Sequence, residues 1–137
     1  MIYLNGKHDI YLIAFWPSPE TNEHNKEMFA NAYLALTGTY DVSLQIISDP
    51  KEAMNLSSNT SVAIQQENDE TVPLAEFEHP ENAVYYVGNN KYPFPAYHFN
   101  TDHAVHIPVP VMREPLYGFQ AAAIALHDRY MKNGTGL

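Results

Sequence analysis

Apolar and polar positions follow two different periods along this chain, and each change of period marks an element. Asp9 to Trp16 (DIYLIAFW) is an unbroken apolar run, the length of a strand buried on both faces. Pro17 and Pro19 end it. From Asn22 to Leu36 the period turns helical, with Met28, Phe29, Ala32, Ala35 and Leu36 sharing one face. Thr21 or Asn22 is placed to cap that helix and Gly38 to close it. The runs VSLQII (Val42 to Ile47), TSVAIQ (Thr60 to Gln65), AVYYV (Ala83 to Val87) and AVHI (Ala104 to Ile107) predict four more strands. Asp49 before Pro50 is a capping carboxylate ahead of a first-turn proline, which predicts a short helix over Lys51 to Leu56. Val72 to Phe77 fits neither period. The last pattern, Leu116 to Met131, predicts a helix with Leu116, Phe119, Ala123, Leu126 and Tyr130 on one apolar stripe.

Strands alternating with helices predict an α/β fold, a single-domain parallel-sheet α/β/α sandwich over residues 1–137. A length of 137 residues fits one domain. With 45% hydrophobic and 17% charged residues the composition is that of a globular chain. No apolar run approaches the roughly 20 residues of a membrane helix. The N-terminal stretch lacks the basic segment and cleavage site of a signal peptide. A cytoplasmic, membrane-free protein is therefore expected. Cysteine is absent, which excludes disulfides and thiolate chemistry.

Charge narrows the partners. Sixteen acidic residues against seven basic ones leave a formal charge of −9. Nucleic-acid affinity comes largely from Lys and Arg neutralising phosphates, so this balance disfavours unaided RNA or DNA binding. Lys26, Lys91, Arg113 and Arg129 are the residues available for a local basic patch.

Open parallel sheets bind ligands at the carboxyl ends of their strands. Three loops there have unusual composition: Pro17 to Asn25, Gly88 to Asn100 and Pro108 to Gly118. Pro93, Pro95, Pro108, Pro110 and Pro115 stiffen the last two. Such proline either preorganises a binding loop or simply ends a strand, and both readings stay open. His98, His103 and His106 lie close in sequence, but no carboxylate is spaced to complete a metal site with them. His106, between Val105 and Ile107, reads as a half-buried or surface residue. No metal is expected. No phosphate-binding glycine loop, nucleophile elbow or paired-carboxylate pattern occurs.

The stretches AVYYVGNNKYPFPA and AVHIPVPVMREPLYGFQAAAIALHDRY resemble the last two motifs of the SPOUT superfamily, the trefoil-knotted RNA methyltransferases of the SpoU type. In that family a strand ends in Gly-Pro-Glu or Gly-Asn-Glu, a later one in Ile-Pro-Met, and Ser-Leu-Asn-x-Ser opens a small-residue helix. Gly88, Ile107-Pro108 and Leu116 stand in the matching places, with Ala121 to Ala125 as the small-residue helix. Asn22-Glu23-His24-Asn25 resembles the family's Asn-x-Gly-Asn after the first strand. The resemblance runs from about Ile10 to Tyr130. It implies a C-terminal trefoil knot, an exception to unknotted topology, and a homodimer. It implies bent S-adenosylmethionine held by loop backbone at Ile64, Gln65, Gly88, Ile107, Val109 and Leu116. It also implies methyl transfer to a ribose 2′-hydroxyl of tRNA or rRNA, with Asn25 in the motif after the first strand and Arg113 and Tyr117 in the loop from which they could stand in for the motif's catalytic groups.

The chain departs from the family pattern in three places. No arginine precedes Arg113, and Met28 or Asn31 stands where the family's catalytic arginine lies. Gly88-Asn89-Asn90 lacks the motif carboxylate, and Pro115-Leu116-Tyr117 lacks the motif hydroxyl and amide. Two readings therefore stand side by side: a methyltransferase, and a non-catalytic dimeric ligand-binding or protein-interaction module on the same scaffold. An unrelated flavodoxin-like ligand binder accounts for the strand order but not for the coincidence of three loops.

Overall fold

A computed structural model describes residues 2–3, 7–15, 23–88, 101–110 and 116–133. The strands are β1 (Ile2–Tyr3), β2 (Lys7–Phe15), β3 (Val42–Ile47), β4 (Thr60–Gln65), β5 (Val72–Pro73), β6 (Ala83–Val87) and β7 (His103–His106). The helices are α1 (Glu23–Tyr40) and α2 (Gly118–Asn133). One sheet contains all seven strands in the order β1-β3-β2-β6-β4-β7-β5. Every pairing is parallel except that of β1 with β3. The parallel α/β architecture expected from the alternation of strand and helix patterns is the one observed.

The strands buried on both faces are those with continuous apolar runs. Leu12, Val62, Tyr85 and Val105 point to the helices, and Ile13, Ala63, Val84 and Tyr86 to the other side. Both long helices lie on the first face, side by side. Phe29 of α1 meets Phe119 of α2 (ring centroids 5.5 Å apart), and Tyr40 meets His127 (6.2 Å), so the two run in the same direction. Where a second helical layer is expected, the described residues supply a 3₁₀ turn, Pro50–Glu52, followed by Ala53 and Leu56. Asp49 caps this turn as predicted, accepting from the Lys51 amide while Glu52 reaches back to the Asp49 amide (2.8 Å). The turn is not extended into a helix, because Gln45 ties down its exit. The Gln45 side-chain amide donates to the Glu52 carbonyl (2.8 Å) and accepts from the Met54 N–H (2.9 Å).

Two helix faces differ from expectation. α1 runs through Gly38 to Tyr40 and ends at Asp41, whose φ of 55° is the left-handed conformation that a short polar side chain tolerates. Thr37 and Thr39 remain helical by back-bonding to the Leu34 and Ala35 carbonyls (2.7 and 3.1 Å). The face of α1 turned to the core carries Phe29, Tyr33, Leu34 and Thr37, while Met28 is exposed. On α2 the buried set is Gly118, Ala122, Ala125, Leu126 and Arg129, and Tyr130 is exposed. The predicted stripe is rotated because a charged residue, not an apolar one, anchors its last turn.

That anchor is a polar network at the amino edge of the sheet. Arg129 donates to the Pro80 carbonyl, the Glu81 carbonyl (2.9 Å) and the Tyr85 hydroxyl (3.2 Å). Arginine can only donate, so the Tyr85 hydroxyl accepts from it and gives its own proton to His79 Nδ1 (2.7 Å). The neutral imidazole then donates from Nε2 to Asp128 (2.7 Å), which also pairs with Lys132 (2.9 Å). Burial pushes the His79 pKa down, more than the Asp128 carboxylate lifts it. Burial raises Asp128, but hydrogen bonds from His79 and Lys132 outweigh it and hold the carboxyl below its ordinary range. Burial likewise raises the Tyr85 hydroxyl, against the opposing pull of Arg129. Arg129 is thus 6% exposed and committed to the fold, which removes it from the expected basic patch.

Candidate functional site

The opposite, carboxyl edge of the sheet collects the positions singled out by sequence. β4 lies between β6 and β7, with Ala63 level with Tyr86 and Gln65 level with His106. The same register carried two residues onward sets Gln65 level with Gly88. Ile64, Gln65, Gly88 and, one residue past β7, Ile107 therefore share one end of three adjacent strands. α2 starts at this end. A Cβ built on Gly118 would stand 1.9 Å from the Gly88 carbonyl oxygen and 2.3 Å from the Tyr33 hydroxyl. The helix backbone thus abuts the strand end directly, which only glycine allows, and Leu116 sits two residues before that contact. Val109 is half-buried beyond Ile107.

The loop after β4 is ordered by its own side chains. Asn68 accepts from the Glu70 amide (2.8 Å), donates to Gln65 Oε1 (3.1 Å), and exchanges bonds with Thr71. His106 ties the loop to β7 through Thr71 Oγ1 at Nδ1 (2.9 Å) and Glu67 at Nε2 (3.3 Å). His106 is buried rather than half-buried, at 7% exposure, because these two partners satisfy both ring nitrogens. Its neighbour His103 rests edge-on against Phe77 (5.4 Å). Among the described residues no group of three metal-ligating side chains forms.

Tyr117 leads into α2. Its N–H donates to Gln120 Oε1 (2.8 Å), the back half of a capping box, and its carbonyl accepts from the Ala121 N–H (2.9 Å). Its ring stacks on Phe119 (5.8 Å, 8° between planes) and meets Phe29 (5.4 Å). Tyr33 lies below, edge-on to Phe119 (6.3 Å), its hydroxyl pKa raised by burial. Sequence reading placed Tyr117 at the site but missed Tyr33 and the partnership with Phe29, whose i, i+4 spacing on α1 is the available signal. Asn25 falls in the first turns of α1, and its side chain lies outside the described residues, as does Arg113 entirely. The threading implied by the resemblance involves residues 89–100 and 111–115, also outside them.

The architecture and this edge define a class: the fold is that of the SpoU-type (SPOUT) RNA methyltransferases. Three solved structures carry the likeness. The A. aeolicus TrmH/SpoU tRNA modifying enzyme matches over 96% of this chain and 80% of its own, at 16% identity and a TM-score of 0.64. The SpoU methyltransferase AviRb from Streptomyces viridochromogenes, solved in complex with the cofactor AdoMet, matches over 95% of this chain and 63% of its own, at 13% identity and a TM-score of 0.70. A structure described as giving insights into the 2-OH methylation of C/U34 on tRNA matches over 91% of this chain and 96% of its own, at 12% identity and a TM-score of 0.63. No family model and no curated protein matches the sequence.

Proposed function

We propose that this chain binds S-adenosylmethionine at the carboxyl edge of its sheet and methylates the ribose 2′-hydroxyl of an unpaired nucleotide in tRNA or rRNA, as a knotted cytoplasmic homodimer. The contact of Gly118 with Gly88 carries the reading. It brings the start of α2 against the end of β6 without an intervening side chain, so that main chain meets main chain at this edge. That surface suits a nucleoside held by main-chain donors and acceptors, as the fold likeness suggests. Ile64, Gln65, Gly88, Ile107, Val109 and Leu116 are the residues proposed to hold it. On α2, exposed Ile124, Tyr130 and Met131 are the apolar side chains proposed to meet a second copy.

When bound, S-adenosylmethionine supplies a methyl group on a positively charged sulfur. The chain's part is to orient the acceptor hydroxyl and favour its ionisation, the proton passing to solvent. Arg129 is locked beneath the loop at residues 80 and 81, so Arg113 is the arginine left to favour the alkoxide electrostatically. Asn25 and Tyr117 are proposed to position the ribose.

One observation favours a second reading, a binding module without transfer. The motif carboxylate and the motif arginine both lack counterparts, and the structure spends one of the two arginines on stability. Two measurements separate the readings. Calorimetric titration with S-adenosylmethionine and S-adenosylhomocysteine is expected to show binding, and transfer of labelled methyl to bulk tRNA or rRNA identifies an enzyme. Binding without transfer establishes the module. Binding of neither ligand refutes the site.

A further inference from the structure

We propose that Tyr117 is the platform on which the unpaired target nucleobase of the RNA stacks, an inference that rests on the function proposed above. Tyr117 immediately precedes Gly118, whose backbone touches Gly88 at the carboxyl edge. Its ring is therefore fixed beside the place where methyl transfer would occur. Phe119 lies near-parallel and offset at 5.8 Å, and Phe29 braces the ring at 5.4 Å. Phe29 and Phe119 themselves meet at 5.5 Å, which closes a triangle of rings. Tyr117 nonetheless remains 38% exposed, so part of the residue is left accessible. A ring held this firmly loses little freedom when a base lands on it.

Charge explains why stacking falls to such a residue. With a net charge of −9, the chain is poorly supplied for phosphate contacts. Arg129 is buried, and Lys132 is spent on the Leu74 and Phe77 carbonyls (2.7 and 2.8 Å) and on Asp128. Glu67, Asp69 and Glu70 stand exposed on the loop after β4, at the same edge. These repel a phosphate backbone. A π-face accepts a base whatever the surrounding charge, because stacking draws on dispersion and desolvation rather than on ion pairing. Recognition through an extruded base is therefore the mode this surface can support, and paired RNA, whose bases are already stacked, should be excluded.

The test compares wild type, Tyr117→Ala and Tyr117→Phe in the full chain with S-adenosylhomocysteine present. Anisotropy measures binding of a labelled tRNA stem–loop with an unpaired loop, and of a blunt RNA duplex of equal length. Wild type should bind the stem–loop and not the duplex. Its affinity should fall far less between 50 and 200 mM salt than the roughly thousandfold or more of a protein making many phosphate contacts. Tyr117→Ala should raise the stem–loop Kd roughly ten- to a hundredfold, and Tyr117→Phe should stay near wild type. S-adenosylhomocysteine affinity should be the same in all three. An unchanged stem–loop Kd in Tyr117→Ala overturns this inference and leaves the proposed function standing. So does an equal loss in Tyr117→Phe, which would assign the role to the hydroxyl, or a loss of S-adenosylhomocysteine affinity in Tyr117→Ala, which would assign the ring to the cofactor. Failure of wild type to bind any RNA overturns both.

Discussion

Gly118→Ala is the smallest change that tests the geometry at the carboxyl edge. In an ordinary exposed helix position the substitution stabilises, by roughly 0.5–1 kcal/mol, because alanine loses less backbone entropy on folding. At Gly118 the new methyl would stand 1.9 Å from the Gly88 carbonyl oxygen, 3.0 Å from its carbon and 2.3 Å from the Tyr33 hydroxyl. Carbon and oxygen do not approach below about 3 Å without repulsion, so the helix start must retreat by more than an ångström. Tyr33 is 2% exposed and has no free space to swing into, and Gly88 belongs to the backbone just beyond β6. Overpacking of a well-filled site costs about 1–3 kcal/mol, and the displaced partner here is main chain, which places the expected loss at the upper end. For a chain of this size about 2–3 kcal/mol lowers Tm by roughly 6–12 °C. Thermal and urea melts of wild type, Gly118→Ala and Gly38→Ala make the comparison internal. Gly38 lies within α1 with nothing within 4 Å of a built Cβ, so Gly38→Ala should gain the ordinary helix increment. A Gly118→Ala protein as stable as wild type would mean that α2 does not abut the end of β6, and the proposed site would lose its frame.

Other expectations concern the amino edge. The His79 pKa is lowered by burial, so the unfolded chain binds its proton more readily than the folded one and stability rises with pH through that range. Stability should be fully present above the ordinary histidine pKa of about 6.5 and fall as pH drops toward the lower folded value. A His79→Gln variant, melted from pH 7.5 to 5, should lose that part of the slope. A slope unchanged by the substitution would contradict the neutral assignment. Arg129→Lys should cost about 2–4 kcal/mol, read as a lower urea midpoint, because a point ammonium cannot serve the Pro80 and Glu81 carbonyls together. Full rescue by lysine would show that charge alone, not the fork, holds the loop.

The parts of the fold legible in the sequence were those governed by local repetition. Val42–Ile47, Thr60–Gln65 and Ala83–Val87 have the limits that the apolar runs predict, because a strand buried on both faces needs every residue apolar or paired. Helix faces were less legible. Thr37 and Arg129 are polar by type, yet both lie inside, one by back-bonding within its own helix and the other by reaching carbonyls 48 and 49 residues away. No local window contains the partners of Arg129. The two-residue strands β1 and β5 escape for the opposite reason: their pairing is made by neighbours, not by any pattern of their own. At the candidate site the order of Gly88, Ile107 and Leu116 was readable from motif spacing. The glycine that the geometry depends on, Gly118, was not, since a lone glycine opening a helix carries no signal until its neighbour is known.

The two ends of α2 follow opposite designs, and this bears on how the site can change without loss of the fold. At its far end Asp128, Arg129 and Lys132 make five hydrogen bonds and ion pairs with carbonyls and an imidazole at residues 74–81, and a sixth with the Tyr85 hydroxyl on β6. Those bonds set where the helix sits on the sheet. Its near end is held among the described residues by packing instead: Phe119 meets Phe29 and Tyr33, and Gly118 abuts Gly88. A helix pinned by polar bonds at its far end fixes the position of its first turn. Leu116 is half-buried and Tyr117 exposed, so substitutions there can alter what binds at the carboxyl edge with less effect on stability than changes to the buried anchors. Departures from the SPOUT motifs fall at Pro115-Leu116-Tyr117, at Asn89-Asn90 and at Met28 or Asn31 on α1, while the buried anchors of the far end lie in the part of the molecule that must stay intact for either reading to hold.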